Sequence, residues 1–309
     1  MRLPLSVDLS TTPPTKAAKV NRHRRERWFI VATLGPALLF LLVYVFYPTL
    51  DSFVLSFFQT RLYSKVEFVG LQHYLSVLSD RIFWQALFNT LYYAGGTVIG
   101  TVVFGLALAL MFERTQLGST LFRAGVFMPY VIPYAAHTLL WYWLFDPRYG
   151  LINIALEWFG INPVPWLQSR AWVIPAFILM SVWKRMGFAM VIFIAGLRAI
   201  DDDLLEAAIV DGAGWWQRLW HIILPLLKPM TLFVAVINLI QTLQLFMEPF
   251  VMTKGGPSYS SVSIVYLIYQ QGFRSINVGR SSAMAVILFI LIMVLTLLLM
   301  RSFRTSEVQ

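Results

Sequence analysis

The chain has 309 residues, 58% of them apolar and 13% charged, against about 25% charged in an ordinary soluble domain. Cysteine is absent, which excludes a disulfide framework, a thiolate metal site and a cysteine nucleophile. The net charge of +9 could suggest nucleic acid, but much of it lies in residues 1–27, beside the first apolar stretch, so membrane topology accounts for it and no nucleic-acid partner is expected.

Residues 1–27 carry Arg2, Lys16, Lys19, Arg22, Arg24, Arg25 and Arg27, with Pro13-Pro14 and few large apolar side chains. This composition predicts a disordered basic tail. The apolar stretch after it contains Gly35-Pro36 and lacks a small-residue cleavage site, so it reads as an anchor and not as a removable signal. A bilayer crossing needs about 20 apolar residues. Windows of that kind occur at 28–50, within 82–112, at 124–145, at about 171–197 interrupted by Lys184-Arg185, at about 229–247 and at 281–300. They are about twice the length of a barrel strand and do not alternate, so six membrane-spanning helices are predicted. With the N-terminus inside, the inner segments hold 14 Lys and Arg and the outer loops 8. That bias puts both termini in the cytoplasm, with 304–309 as a short cytoplasmic tail. The four histidines, His23, His73, His137 and His221, show no metal-ligand spacing. Trp141, Tyr142 and Trp143 read as an interfacial aromatic belt, and Trp183 as core packing.

The longest inner loop, 198–228, starts like a helix. Asp201, Asp202 and Asp203 offer N-cap candidates and place negative charge at the positive end of the dipole. Leu204, Leu205, Ala208 and Ile209 form an apolar stripe, and Gly212 and Gly214 end it. A short amphipathic helix outside the membrane, at about 202–213, is predicted. Its acidity suits a protein partner better than the negative inner leaflet.

Here the chain resembles a known family. Glu206-Ala207-Ala208, three residues, Gly212, nine residues, then Ile222, Leu224 and Pro225 matches the EAA signature of ABC importer permeases without a gap. Val69-Gly70-Leu71 with Asn89-Thr90, Phe122-Arg123, Met128-Pro129, Trp141, Tyr149-Gly150-Leu151-Ile152-Asn153 and Gly255-Gly256-Pro257 extend the resemblance over nearly everything after residue 28. The pattern is similar to the first permease of the maltose and glycerol-3-phosphate branch. It implies an all-α integral membrane protein with six transmembrane helices in the type I (MetI-like) fold, residues 28–303 being the permease domain. It implies that Glu206, Ala207, Ala208, Asp211 and Gly212 couple to an ATPase. The implied partners are a second homologous permease, two ATPase subunits and an extracytoplasmic solute-binding protein, in the cytoplasmic membrane of a bacterium. This chain is expected to be non-catalytic and to bind no cofactor. It has no Gly-rich phosphate loop of the Walker kind, so ATP and Mg belong to the partner ATPase.

Polar groups inside spans face a cavity or another helix. Asn238, Gln241, Thr242 and Gln244 interrupt the fifth window; amides and hydroxyls suit sugar hydroxyls, because each donates and accepts, but they also join helices together. The resemblance favours solute contact and adds Tyr130 and Tyr134 from the Pro-Tyr-x-x-Pro segment. Lys184 and Arg185 fall near the middle of the fourth window, either in the translocation path or in a buried polar seam. The function expected is import of a sugar or sugar-like solute, such as a di- or oligosaccharide, a polyol or a glycerol phosphate. The alternatives are an ABC importer for a non-sugar solute and a secondary transporter, which would need repeats and midplane carboxylates.

Overall fold

The computed structural model describes residues 16–61, 64–113 and 119–304. Two compact units emerge, residues 1–54 and 55–309. The first holds α1 (Lys16–Leu41), a π-helical turn (Leu42–Phe46) and most of α2 (Tyr47–Leu55). These run together as an apolar helix over Trp28–Leu55, 28 residues long and sufficient for a bilayer. Helix α1 begins at Lys16 and so takes in residues 16–27. Once an apolar helix exists, propagating it backward adds one hydrogen bond per residue and needs no new nucleus. Residues 1–15 of the predicted tail lie outside the described residues, as do 305–309.

The second unit opens with a feature the helical windows missed, an antiparallel hairpin of β1 (Phe58–Arg61) and β2 (Ser64–Phe68). It supports the start of the last helix, because Gly279 N–H donates to Thr60 Oγ1 at 3.1 Å. Then come α3 (Gln72–Leu78) and α4 (Arg81–Phe112). Asp80 caps α4 by accepting from Ile82 N–H at 2.8 Å, and its other carboxylate oxygen pairs with Arg280 at 2.5 Å.

Helices α5 (Ser119–Val131), α6 (Tyr134–Leu144), α7 (Leu151–Trp158) and α8 (Val173–Leu197) follow. The third predicted span is therefore broken at Ile132-Pro133. Pro133 has no N–H and disfavours helix at the residue before it. The central pairing is α4 against α8, and small residues allow it. A Cβ on Gly96 would lie 2.5 Å from Ile178 Cδ1, on Gly100 2.6 Å from Val182 Cγ2, and on Gly105 2.5 Å from Ala189 Cβ. Such stripes bring helix backbones close in lipid, where hydrophobicity gives no drive to associate. Gly187 on α8 approaches the α5 backbone at Val126 and Phe127 in the same way.

Trp141 is 7% exposed and joins Tyr93, Phe145, Phe177 and Met180 in a buried cluster. Of the predicted aromatic belt only Tyr142 and Trp143 face outward; their neighbour turns inward because successive helix positions are about 100° apart. Trp183 packs against this cluster and stacks on buried His137, with centroids 5.8 Å apart.

The chain then forms α9 (Asp202–Val210) and α10 (Trp215–Arg218), a π-helical stretch (Leu219–Ile223), α11 (Leu224–Leu226) and α12 (Lys228–Thr242). Helical residues 215–226 and 228–242 meet at a 64° bend, next to Pro225 and Pro229, which remove backbone donors. A π-helical segment (Pro249–Thr253), α13 (Ile264–Tyr269), a second such segment (Gln270–Arg274) and α14 (Val278–Arg304) complete the chain. Asn89 on α4 holds the segment before α13, donating to the carbonyls of Tyr259 (3.0 Å) and Val262 (2.9 Å).

Four described helices are individually long and apolar enough to cross a membrane, and the bent pair makes a fifth. The remaining predicted span is the broken α5–α6 pair.

Candidate functional site

A cavity of about 490 Å³ opens among α4, the α5–α6 break, α8 and the end of α12. Its lining includes Tyr130, Tyr134, Lys184, Arg185, Gln241 and Gln244, six side chains that the sequence marked from three separate windows. It also includes Tyr93 and Glu248, which sequence reasoning missed.

Two marked residues are not at the cavity. Asn238 (1% exposed) and Thr242 (0%) are buried on the packed side of α12. Asn238 Nδ2 donates to Val234 O at 2.8 Å, and Thr242 Oγ1 donates to Asn238 O at 2.7 Å. Both bond their own helix, as short polar side chains do when no external partner is in reach. Gln241 is exposed at the helix end, and Gln244 sits in the turn after Thr242. The fifth window therefore stops being helix five residues before its apolar run ends.

Lys184 lines the cavity, but its ammonium is engaged. Nζ donates to the carbonyls of Pro129 (3.0 Å), Tyr130 (3.4 Å) and Ile132 (2.5 Å). These groups flank the point where Pro133 interrupts the third span. In an unbroken helix the Pro129 carbonyl would accept from residue 133, which as proline has no donor. A buried carbonyl without a partner is unfavourable, and Lys184 supplies one. Its ammonium thus holds the break from the cavity wall.

Arg185 differs. It is 4% exposed, its Nη1 donates to Tyr134 Oη at 2.8 Å, and its Nε has no partner. In the same lining Glu248, 1% exposed, accepts from Tyr93 Oη (3.1 Å) and Ser181 Oγ (3.4 Å), and these two hydroxyls are 2.7 Å apart. In the sequence Glu248 closes an apolar window and reads as the first loop charge. The signal available was its position one residue before Pro249, in the helical path that resumes at Met247 and runs on to Thr253. Among the described residues, no group of three His, Asp or Glu side chains is placed to hold a metal.

A second feature lies away from the cavity. Helix α9 has no buried residue. Asp201 caps it, accepting from Asp203 N–H at 3.1 Å. At its other end Ala213 N–H donates to Ala208 O at 2.9 Å and Gly212 N–H to Ile209 O at 3.0 Å, the paired bonds of a Schellman stop. Gly212 sits there at φ +79°, a conformation that glycine adopts without penalty. Gly214 caps the next helix, α10, and so does not help to end this one. Glu206 and Ala207 are exposed on α9, and Asp211 and Gly212 follow it.

Apolar helices of membrane-crossing length, a polar cavity between them and an exposed acidic helix define a membrane transport subunit. Residues 101–306 match the family described as binding-protein-dependent transport system inner membrane component, and the chain belongs to that family. It is 34% identical over 284 residues to the sulfoquinovosyl glycerol transport system permease protein SmoG of Agrobacterium fabrum, covering 91% of this chain and 92% of that one. It is 32% identical to the trehalose/maltose transport system permease protein MalF of Thermococcus litoralis, covering 86% and 90% of the two chains. It is 31% identical to the sn-glycerol-3-phosphate transport system permease protein UgpA of Agrobacterium fabrum, covering 85% and 90%. In fold it is similar to a chain of a bacterial ABC transporter that imports the acidic polysaccharide alginate, with a TM-score of 0.80 at 23% identity, over 93% of this chain and 99% of that one.

Proposed function

We propose that this chain is the membrane-spanning permease subunit of an ATP-driven, binding-protein-dependent importer for a sugar or sugar-like solute. The observation that carries the reading is the cavity, where Tyr130, Tyr134, Gln241 and Gln244 present hydroxyls, amides and aromatic faces together. Such groups both donate and accept, which matches a polyhydroxylated solute. The relatives' names support the same class, since a sugar glycerol, two disaccharides and a glycerol phosphate are all rich in hydroxyl or ester oxygens.

The full machine pairs this chain with a second, homologous permease, two ATPase subunits that hold ATP and Mg, and an extracytoplasmic solute-binding protein. The chain crosses the bacterial cytoplasmic membrane six times, counting α5 and α6 as one broken span, with both termini inside. Helix α9, with Glu206, Ala207, Ala208, Asp211 and Gly212, docks on an ATPase. Closure of the ATPases on ATP draws the two docking helices together and opens the cavity outward; hydrolysis resets it. A ligand effect of this kind requires two states with different affinities, and the α5–α6 break and the 64° bend before α12 are the joints.

Reconstitution tests this. Proteoliposomes holding the chain with its transport partners should accumulate labelled sugar only with ATP inside and binding protein outside. Accumulation driven by a proton or sodium gradient without ATP would overturn the reading.

A further inference from the structure

The cavity contains a buried cation with an unspent donor, the Arg185 Nε. A guanidinium carries five N–H donors. Arg185 commits Nη1 to Tyr134, while its Nε is buried and unpartnered. Lys184 beside it is spent on three carbonyls. Glu248 takes its hydrogen bonds from Tyr93 and Ser181, and acts on Arg185 through its charge and not through a hydrogen bond. Lys184, Arg185 and Glu248 are the charged side chains of the lining, so its formal balance is positive.

A guanidinium withdrawn from water without enough acceptors is unfavourable until something supplies them. The group that best fits a planar fork is a two-oxygen anion. The Tyr134 ring also lies 5.6 Å from the guanidinium carbon, near enough to keep it in place. We infer that Arg185, positioned by Tyr134, is the specificity-determining contact for an oxyanion, and that the solute is a sugar or polyol bearing one carboxylate, sulfonate or phosphate. Tyr130, Gln241 and Gln244 then meet the hydroxyls of the same molecule. The inference rests on the importer reading above and narrows it from any sugar to an acidic one.

The test uses the whole importer in proteoliposomes, with wild type, Arg185→Gln, Arg185→Lys and Tyr134→Phe. The probes are sn-glycerol 3-phosphate, sulfoquinovosyl glycerol and a uronic-acid disaccharide, against maltose and trehalose. Wild type should take up at least one acidic probe and neither neutral one. Arg185→Gln should lower that uptake by more than about tenfold, the scale of a lost hydrogen bond to a charged group, chiefly through KM. Arg185→Lys should recover part of it, and Tyr134→Phe should raise KM while leaving the charge in place. ATP-dependent uptake of maltose or trehalose, unchanged in Arg185→Gln, would overturn this inference and leave the importer reading standing. Uptake of an amino acid and of no sugar would overturn the importer reading itself, and this inference with it. Should Arg185→Gln not assemble, the other two variants decide, and wild-type KM for an acidic probe in both overturns the assignment.

Discussion

Lys184 Nζ donates to the Ile132 carbonyl at 2.5 Å, one residue before the proline that breaks the third span. The same ammonium also reaches the Pro129 and Tyr130 carbonyls, so a side chain on α8 holds the end of α5 and the break that follows it. Lys184→Met keeps the stem and removes the donors. Each carbonyl left bare costs about 1–3 kcal/mol, so the thermal midpoint of the solubilised complex should fall by several degrees. Lys184→Arg should recover part of the loss. Wild-type stability in Lys184→Met would show that the contact does not hold the break.

The amides of the fifth window divide by position. Gln241→Ala and Gln244→Ala, at the cavity, should lower solute uptake by about fivefold to tenfold while leaving assembly intact, each removing about one hydrogen bond. Asn238→Ala, on the packed face, should change uptake less than about twofold, because its amide bonds only its own helix. Initial rates of ATP-driven uptake decide this, and the reverse order would move the path to the other face of α12.

The stop of α9 makes a prediction about strain. A Cβ on Gly212 meets nothing within 4 Å, so bulk is not the difficulty there. The backbone there sits at φ +79°, and a side-chain-bearing residue in that region costs about 1–2 kcal/mol. Gly212→Val should therefore misplace the docking helix, and Gly212→Asn should be milder, since asparagine tolerates the left-handed region. Glu206→Lys reverses a charge on the exposed helix. Both Gly212→Val and Glu206→Lys should reduce co-purification of the ATPase and solute-stimulated ATP hydrolysis at normal membrane insertion. Altered solute preference with intact coupling would refute the assignment of this loop.

Close packing predicts the opposite ordering at another glycine. A Cβ on Gly187 would strike the backbone of Val126 and Phe127, which cannot rotate aside. One on Gly100 meets only the Val182 side chain, at 2.6 Å. Gly187→Ala should cost more than about 2 kcal/mol, within the range for overpacking, and Gly100→Ala less. Yield of monodisperse detergent-solubilised protein reports the order. Equal yields would mean that α8 and α5 are not held this closely.

Topology is testable because the chain has no native cysteine. Ser275→Cys and Asp203→Cys both place a thiol at an exposed position. A membrane-impermeant thiol reagent should label residue 275 from outside and residue 203 only from the cytoplasm. Labelling of both from one side would overturn the proposed crossing pattern.

The residue sequence alone determined the membrane class, because lipid admits only long apolar helices and charge marks where each must end. It also determined the exposed helix α9, whose cap, acidic first turn and Gly212 stop are all local and which formed where those signals put it. Local rules failed where the deciding partner is far along the chain. Lys184 looked like a charge stranded in a span, yet its acceptors lie 52 to 55 residues earlier. Glu248 looked like a loop charge, yet its donors lie 67 and 155 residues away. Asn238 and Gln241 share a helix and a chemical type, but only packing decided that one faces the core and the other the cavity. Hydropathy weighs each residue by its own transfer energy. Which buried polar atom stays unsatisfied, as the Arg185 Nε does, depends on the geometry of every neighbour, and that exists only once the helices have come together.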